Sequence, residues 1–229
     1  MIITIDGPVA TGKSTIAKSL ARAIGFIYFD TGAMYRALTY ALMKQGIRFD
    51  ETAQMQKFLE TFDFDIKIMH GERRYWVGKE DVTDIIRSDK ITREVSRVAA
   101  VREVREKLVA IQRELAKGVN AVFEGRDMGS VVFPDADVKI FLTGRPEVRA
   151  KRRFEEIVAK YPDQAQGLTL EQCLQDLNER DHFDSTRSNS PLIQSPDAHV
   201  VDTSDLTIDE IVFKILEYQD TRKTAPKDT

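Results

Sequence analysis

Gly7-Pro8-Val9-Ala10-Thr11-Gly12-Lys13-Ser14, with Thr15 behind it, fills every fixed position of a G-x-x-x-x-G-K-[ST] pattern. Before it, Ile2-Ile3-Thr4-Ile5 is apolar and β-branched, the composition of a strand. After it, Ile16, Leu20 and Ile24 recur at four-residue spacing, as on one face of a helix. Strand, glycine-rich loop and helix are the context this pattern requires.

In such a loop, successive main-chain N–H groups and the helix N-terminus form a concave site for phosphate oxygens. Gly7 and Gly12 supply unusual backbone angles and close approach of the main chain. Lys13 is placed to reach the β- and γ-phosphates, and the Ser14 hydroxyl to complete the shell of a Mg²⁺ held by nucleotide and water. The stretch Gly7 through Thr15 is therefore read as a nucleoside triphosphate site. It does not say where the phosphate goes.

The chain has 229 residues, enough for one α/β domain with an insertion or one domain plus a small satellite. Hydrophobic residues make up 42% and charged residues 31%, ordinary values for a soluble globular protein. A net charge of −3 gives no pull toward nucleic acid polymers or anionic membranes. Nor does any run approach the roughly 18 apolar residues of a membrane span. The single cysteine, Cys173, excludes an internal disulfide, and the loop begins too near Met1 for a removable leader, so a cytoplasmic protein is expected. Cys173 lies between Leu170 and Leu174 in a helical pattern and reads as a buried structural thiol. His70, His182 and His199 are scattered without ligand spacing, so a metal would come with the nucleotide. The exposed faces read as charged and mixed, and a monomer is expected.

Further along, a short extended run at 26–29 leads to Asp30-Thr31-Gly32, which caps a second helix carrying Met34, Leu38, Ala41 and Leu42. A third amphipathic helix is expected over 51–60. The period then changes: Phe64-Asp65-Ile66-Lys67-Ile68 alternates, His70-Gly71-Glu72-Arg73 can turn, and Arg74-Tyr75-Trp76-Val77 can return as an antiparallel hairpin. Tyr75 and Trp76 read as hairpin packing. An antiparallel piece inside an α/β chain reads as an insertion, placed at 34–95. Val101, Val104, Leu108, Ile111 and Leu115 predict a long helix ended by Gly118. Apolar runs at 119–123, 138–142 and 198–201 belong to a parallel core, with helices at 146–160, 170–181 and 208–218. A frayed tail is expected at 221–229.

A kinase acting on a nucleotide must hold a second anion beside the first, which calls for arginines that no structural network requires. Arginine recurs beside acids at Arg36, at Arg126-Asp127, and at Arg180, Asp181, Asp184 and Arg187. Glu124-Gly125-Arg126-Asp127 falls at the carboxyl end of a core strand, where open parallel sheets bind ligands. Taken alone, Asp184 and Arg187 at i, i+3 read equally as a surface helix pair, and Arg105 between Glu103 and Glu106 as part of a solvated face.

Asp30-Thr31-Gly32-Ala33-Met34-Tyr35-Arg36, Val95-Ser96, and Gly125-Arg126-Asp127-Met128-Gly129-Ser130-Val131-Val132-Phe133-Pro134-Asp135-Ala136 together resemble the bacterial cytidylate kinases. The resemblance implies a P-loop fold with a five-stranded parallel core, a nucleoside monophosphate-binding insertion and a short lid. On that pattern the kinase core comprises 1–33 and 96–220, with the lid around 146–185. The implied reaction is ATP + CMP (or dCMP) to ADP + CDP (or dCDP). The resemblance further implies that Arg36 and Arg126 grip the CMP phosphate, that Thr31, Ser96, Arg105 and Asp127 line the cytosine pocket, and that Asp184 with Arg180 reads the ribose. Arg187 would reach the monophosphate or base. Arg149, Arg152 and Arg153 lie in the lid-side helix, where such kinases bring arginines onto the transferring phosphoryl; Lys13, Arg126, Arg152 and Arg153 would be the catalytic group.

Departures from the family pattern are Thr31 where serine is common and Ser130 where threonine is common, both keeping a hydroxyl. Val101-Arg102-Glu103 replaces a segment that often contains proline, which opens the choice between Arg105 and Arg102. Two other classes share parts of the pattern. A P-loop kinase of UMP, AMP or another metabolite would keep the loop and the arginines, while a regulatory P-loop protein would need a guanine-reading motif of the Asn-Lys-x-Asp type or a partner surface, and neither is visible in the sequence.

Overall fold

The computed structural model describes residues 1–49, 52–70 and 72–224; Glu51, Gly71 and residues 225–229 of the expected tail lie outside the described residues. In chain order the elements are β1 (Ile2–Asp6), α1 (Lys13–Ile24), β2 (Ile27–Asp30), α2 (Thr31–Lys44), α3 (Thr52–Thr61), β3 (Phe64–Met69), β4 (Glu72–Val77), β5 (Glu80–Asp81), α4 (Asp89–Ala100), α5 (Arg102–Leu115), β6 (Ala121–Glu124), β7 (Val138–Thr143), α6 (Pro146–Lys160), α7 (Leu170–Thr186), β8 (His199–Asp202) and α8 (Ile208–Thr224). They divide into two compact units.

The first unit takes Met1–Phe29, Ala116–Thr186 and the chain from Ser190 on. Its five-stranded sheet has the order β2-β6-β1-β7-β8, with parallel ladders joining β1 to β6, β1 to β7 and β7 to β8. β1 is central, so Ile3 and Ile5 are wholly buried, and the strand is near-continuously apolar because helices cover both faces. Ile16, Leu20 and Ala17 of α1 and Ile211 and Ile215 of α8 pack against these strands. The register sets Ile5 opposite Glu124 and Asp6 opposite Phe141, which brings the carboxyl ends of β1, β6 and β7 to one edge.

The second unit is Asp30–Leu115 with Arg187–Asn189. It contains an antiparallel sheet of order β3-β4-β5, with Phe64 opposite Val77 and Ile66 opposite Tyr75. Tyr75 packs on Ala33 and Ala37 of α2, as hairpin packing requires, and Lys67 lies over the Trp76 ring at 4.4 Å. This unit is wider than the insertion expected at 34–95. Helix α4, absent from the sequence reading, packs on α2, and α5 packs on α2 and α3, so both belong to its core of Met34, Leu38, Leu42, Val95, Val98 and Leu108.

Two helices outrun their expected ends. α8 continues to Thr224, past the expected start of a frayed tail. α7 continues to Thr186 rather than stopping near 181, because its last turns bury the polar Asp184, which leaves no apolar period to read.

Candidate active site

The loop between β1 and α1 is shaped by its main chain. Gly7 has φ +147°, and a Cβ there would lie 2.2 Å from the Leu142 carbonyl oxygen, so only glycine lets the loop pass this close to β7. Gly12 caps α1 at φ 87°, and no side chain caps that terminus. The N–H groups of the first turn are thus left for an anion. Ser14 sits half-buried in that turn and Thr15 is exposed.

Lys13 folds back on its own loop, its Nζ donating to the Pro8 carbonyl at 2.5 Å, and the Thr11 hydroxyl donates to the same oxygen at 3.2 Å. Burial, followed by the neighbouring Arg126 guanidinium, pushes the Lys13 ammonium well below its ordinary pKa. Glu124 and Asp181 act in the opposite sense.

Asp6, the last residue of β1, is a site residue the sequence reading missed, although it directly precedes Gly7. Its two carboxylate oxygens accept the N–H groups of Met128 and Gly129, each at 2.8 Å, and so fix the π-helical turn Met128–Val132 that follows Arg126-Asp127. Gly129 is required there, since a Cβ would approach Thr4 Oγ1 to 2.9 Å. Burial raises the Asp6 carboxyl to a pKa of about 7, against the lowering effect of the two N–H bonds; nearby Asp127 adds to the rise.

At the end of β6, Arg126 Nε donates to Asp184 Oδ2 at 3.1 Å, with Asp184 almost wholly buried. Asp184 is therefore a buried partner of Arg126, and neither it nor Arg187, also buried just beyond the end of α7, belongs to a surface face. Arg180 faces the same cations: removal from water, then Arg126 and Arg153, bring its guanidinium down to about 10, opposed by Asp184 and Asp181. Its buried Nε has no hydrogen-bond partner among the described residues. Within one unit, Arg126 and Arg180 thus bear on Lys13, and Arg126 and Arg153 on Arg180.

The arginines of α6 are engaged by protein groups. Arg152 donates to the Thr203 hydroxyl at 3.0 Å and to its carbonyl at 2.6 Å, and Arg153 pairs with Glu156 at 2.9 Å. Arg149 is buried against Asp181 and the loop.

In the second unit, Asp30 caps α2 by accepting the Ala33 N–H at 2.9 Å and pairs with Arg87 at 2.8 Å. Thr31 is buried beside it. Arg36 donates to Thr92 Oγ1 at 2.7 Å, and Ser96 lies one turn further along α4, half-buried. Arg105 is buried, with its guanidinium 5.5 Å from the Tyr35 ring centre and donating to the Ala99 carbonyl. Arg102 instead lies exposed against Glu106, so Arg105 is the inward arginine and not part of a solvated face. Arg187 is buried, and its neighbour Asn189 donates to the Ala100 carbonyl at 3.1 Å.

The fold is that of a P-loop kinase. A shikimate kinase from Bacteroides thetaiotaomicron superposes with a TM-score of 0.50 at 13% identity, covering 96% of this chain and 98% of that one. Relatives in sequence are nearer. A cytidylate kinase of Protochlamydia amoebophila is 63% identical over 224 residues, 98% of each chain, and one of Halalkalibacterium halodurans is 43% identical over 218 residues, 95% of this chain and 96% of the other. The family model described as cytidylate kinase matches residues 3–221. The chain belongs to the cytidylate kinase family.

Proposed function

We propose that this protein transfers the γ-phosphoryl of ATP to CMP or dCMP, giving ADP and CDP or dCDP, as a cytoplasmic enzyme. Family membership over nearly the whole chain supports the acceptor. The observation that carries phosphoryl transfer is the cation group around Lys13, in which Lys13 and Arg180 are both held below their ordinary pKa values. Such a group is completed by a polyanion, which restores the charge that burial disfavours.

Gly7, Pro8, Val9, Ala10, Thr11, Gly12, Lys13, Ser14 and Thr15 form the ATP site. Arg36 and Arg126 hold the CMP phosphate, Arg187 reaches that phosphate or the base, Thr31, Ser96, Arg105 and Asp127 face the cytosine, and Asp184 with Arg180 takes the ribose. Among the described residues no group of three or more His, Cys, Asp or Glu could hold a metal ion. The single Ser14 hydroxyl fits a Mg²⁺ whose other oxygen ligands come from the nucleotide and water. When bound, that ion neutralises phosphate charge.

The acceptor phosphate is itself the nucleophile, so no general base is required, and positioning with charge neutralisation supplies the rate. Lys13 exchanges the Pro8 carbonyl for the arriving phosphates and, with Arg126, Arg152 and Arg153, steadies the charge of the phosphoryl in transfer. Every residue used lies in one chain, so a monomer suffices.

A coupled ADP-release assay with ATP and Mg²⁺, comparing CMP, dCMP, UMP, AMP and no acceptor, tests this reading. Turnover confined to CMP and dCMP is expected. Equal turnover with UMP or AMP would remove the cytosine pocket, and release without acceptor would remove the kinase.

A further inference from the structure

Val9, the third residue of the glycine-rich loop, is gripped on both of its main-chain groups by side chains that no motif announces. Its N–H donates to Asp181 Oδ1 of α7 at 2.9 Å, and its carbonyl accepts from Arg149 Nη1 of α6 at 2.9 Å. Arg149 and Asp181 are joined to each other at 2.5 Å, and Arg149 Nε donates to the Gly144 carbonyl just past β7 at 2.9 Å. Side-chain exposure is 6% for Arg149 and 18% for Asp181, so solvent screens the pair far less than a surface pair.

Two successive peptide units of the loop are held in this way, those before and after Val9. The next residue, Ala10, has φ +58°, which a residue with a Cβ adopts when its surroundings impose it. The clamp sits where that imposition is needed. Arg149 differs from Arg152 and Arg153 in that its Nη1 is given to the loop itself, at Val9, and to Asp181.

We propose that Asp181 and Arg149 are positioning residues for ATP: they act through Val9 to hold the phosphate loop open in its binding shape and tie that shape to α6 and α7. The inference rests on the reading of this loop as the ATP site. Asp181 also favours the charged form of Lys13, which aligns the clamp with the loop's own cation.

The test is binding of a non-hydrolysable ATP analogue with Mg²⁺ in the absence of acceptor, measured by titration calorimetry beside CMP binding and thermal unfolding. Asp181→Ala should weaken analogue binding about tenfold, the scale of a lost hydrogen bond to a charged group, with CMP binding unchanged. Asp181→Asn keeps an oxygen for the Val9 N–H and should recover part of the loss. The double variant Arg149→Gln with Asp181→Asn leaves no unpaired buried charge, so it should unfold near the wild-type temperature while the analogue still binds weakly. Wild-type analogue binding in Asp181→Ala would overturn the proposal. So would equal weakening of both nucleotides, or a double variant that regains analogue binding together with stability. Because no acceptor enters the measurement, a wrong acceptor assignment leaves its outcome intact, whereas an analogue that fails to bind the wild-type protein would remove the ATP-site reading itself.

Discussion

The two units carry their candidate groups in different ways. In the first, the groups that would meet phosphate are main-chain N–H groups and cations fixed by a main-chain oxygen or a buried carboxylate: Lys13 on Pro8 and Arg126 on Asp184. In the second, Thr31, Arg36, Ser96 and Arg105 are side chains of α2, α4 and α5, placed by the packing of those helices around an apolar core. Main-chain geometry binds what every nucleoside triphosphate shares. Side chains on packed helices can differ from one acceptor to another at little cost to the fold. On the proposed reading, the loop of the first unit supplies the common chemistry, and the side chains of the second contribute to the choice of acceptor.

The largest expected effect follows from Lys13→Ala. It removes the one ammonium in the loop, and turnover should fall roughly a thousandfold, about 4 kcal/mol of transition-state stabilisation. Arg36→Ala is the matching change in the second unit and should act mainly on the KM for CMP, leaving ATP binding alone. Initial rates over both substrates separate the two. If Arg36→Ala weakened ATP as much as CMP, the division of labour would be lost.

That division also explains what was legible. The loop was readable because its shape depends on a few fixed residues in one short stretch: Gly7 must be glycine to clear Leu142, and Lys13 stands at a set distance from it. The core strands β1, β6, β7 and β8 and the hairpin were readable from apolar runs and alternation, while β2 read only as a short strand or an extended connection. Helix α4 was not, although Ile91, Val95, Val98 and Ala99 make one face, because charged residues separate them and the hairpin drew the boundary at 95. The end of α7 was missed for the opposite reason: its buried face is Asp184, a polar residue satisfied by Arg126, which lies 58 positions away in sequence. Asp6 and the Arg149–Asp181 clamp have no periodic signature. Their partners are main-chain groups that only the folded chain brings near.

A smaller effect sharpens the first half of the comparison. Asp6 joins β1 to the turn after Arg126-Asp127 through two N–H bonds, and burial raises its carboxyl from 3.8 to about 7. A raised folded-state pKa means that folding favours the protonated acid. The contribution of Asp6 to stability is therefore whole below about pH 3.8, declines as pH rises to about 7, and is constant above that. Asp6→Asn does not titrate, so the stability of wild type relative to this variant should fall across that window, by on the order of 2 kcal/mol once local relaxation is allowed for. Urea unfolding of both proteins from pH 4.5 to 8 measures it. A flat difference would mean that the carboxyl is ionised throughout, held by its two N–H bonds against burial.

The smallest expected effect tests the second unit as a packed support. Gln112 lies on the face of α5 that buries Val104 and Leu108, its side chain is wholly buried, and neither amide atom has a hydrogen-bond partner among the described residues. A buried amide left unpaired costs about 1–3 kcal/mol, and leucine has nearly the same volume without the polar atoms. Gln112→Leu should therefore raise the unfolding free energy by about 1 kcal/mol and the Tm by roughly 2–4 °C. The KM values for ATP and CMP should stay as they are, because the change only tightens the core on which Arg105 is carried, seven residues earlier on the same helix. A loss of stability would instead show that the amide is hydrogen-bonded in solution. A gain in stability accompanied by a weakened CMP KM would show that the acceptor side needs some looseness in this core, and that the second unit works by more than static placement of its side chains.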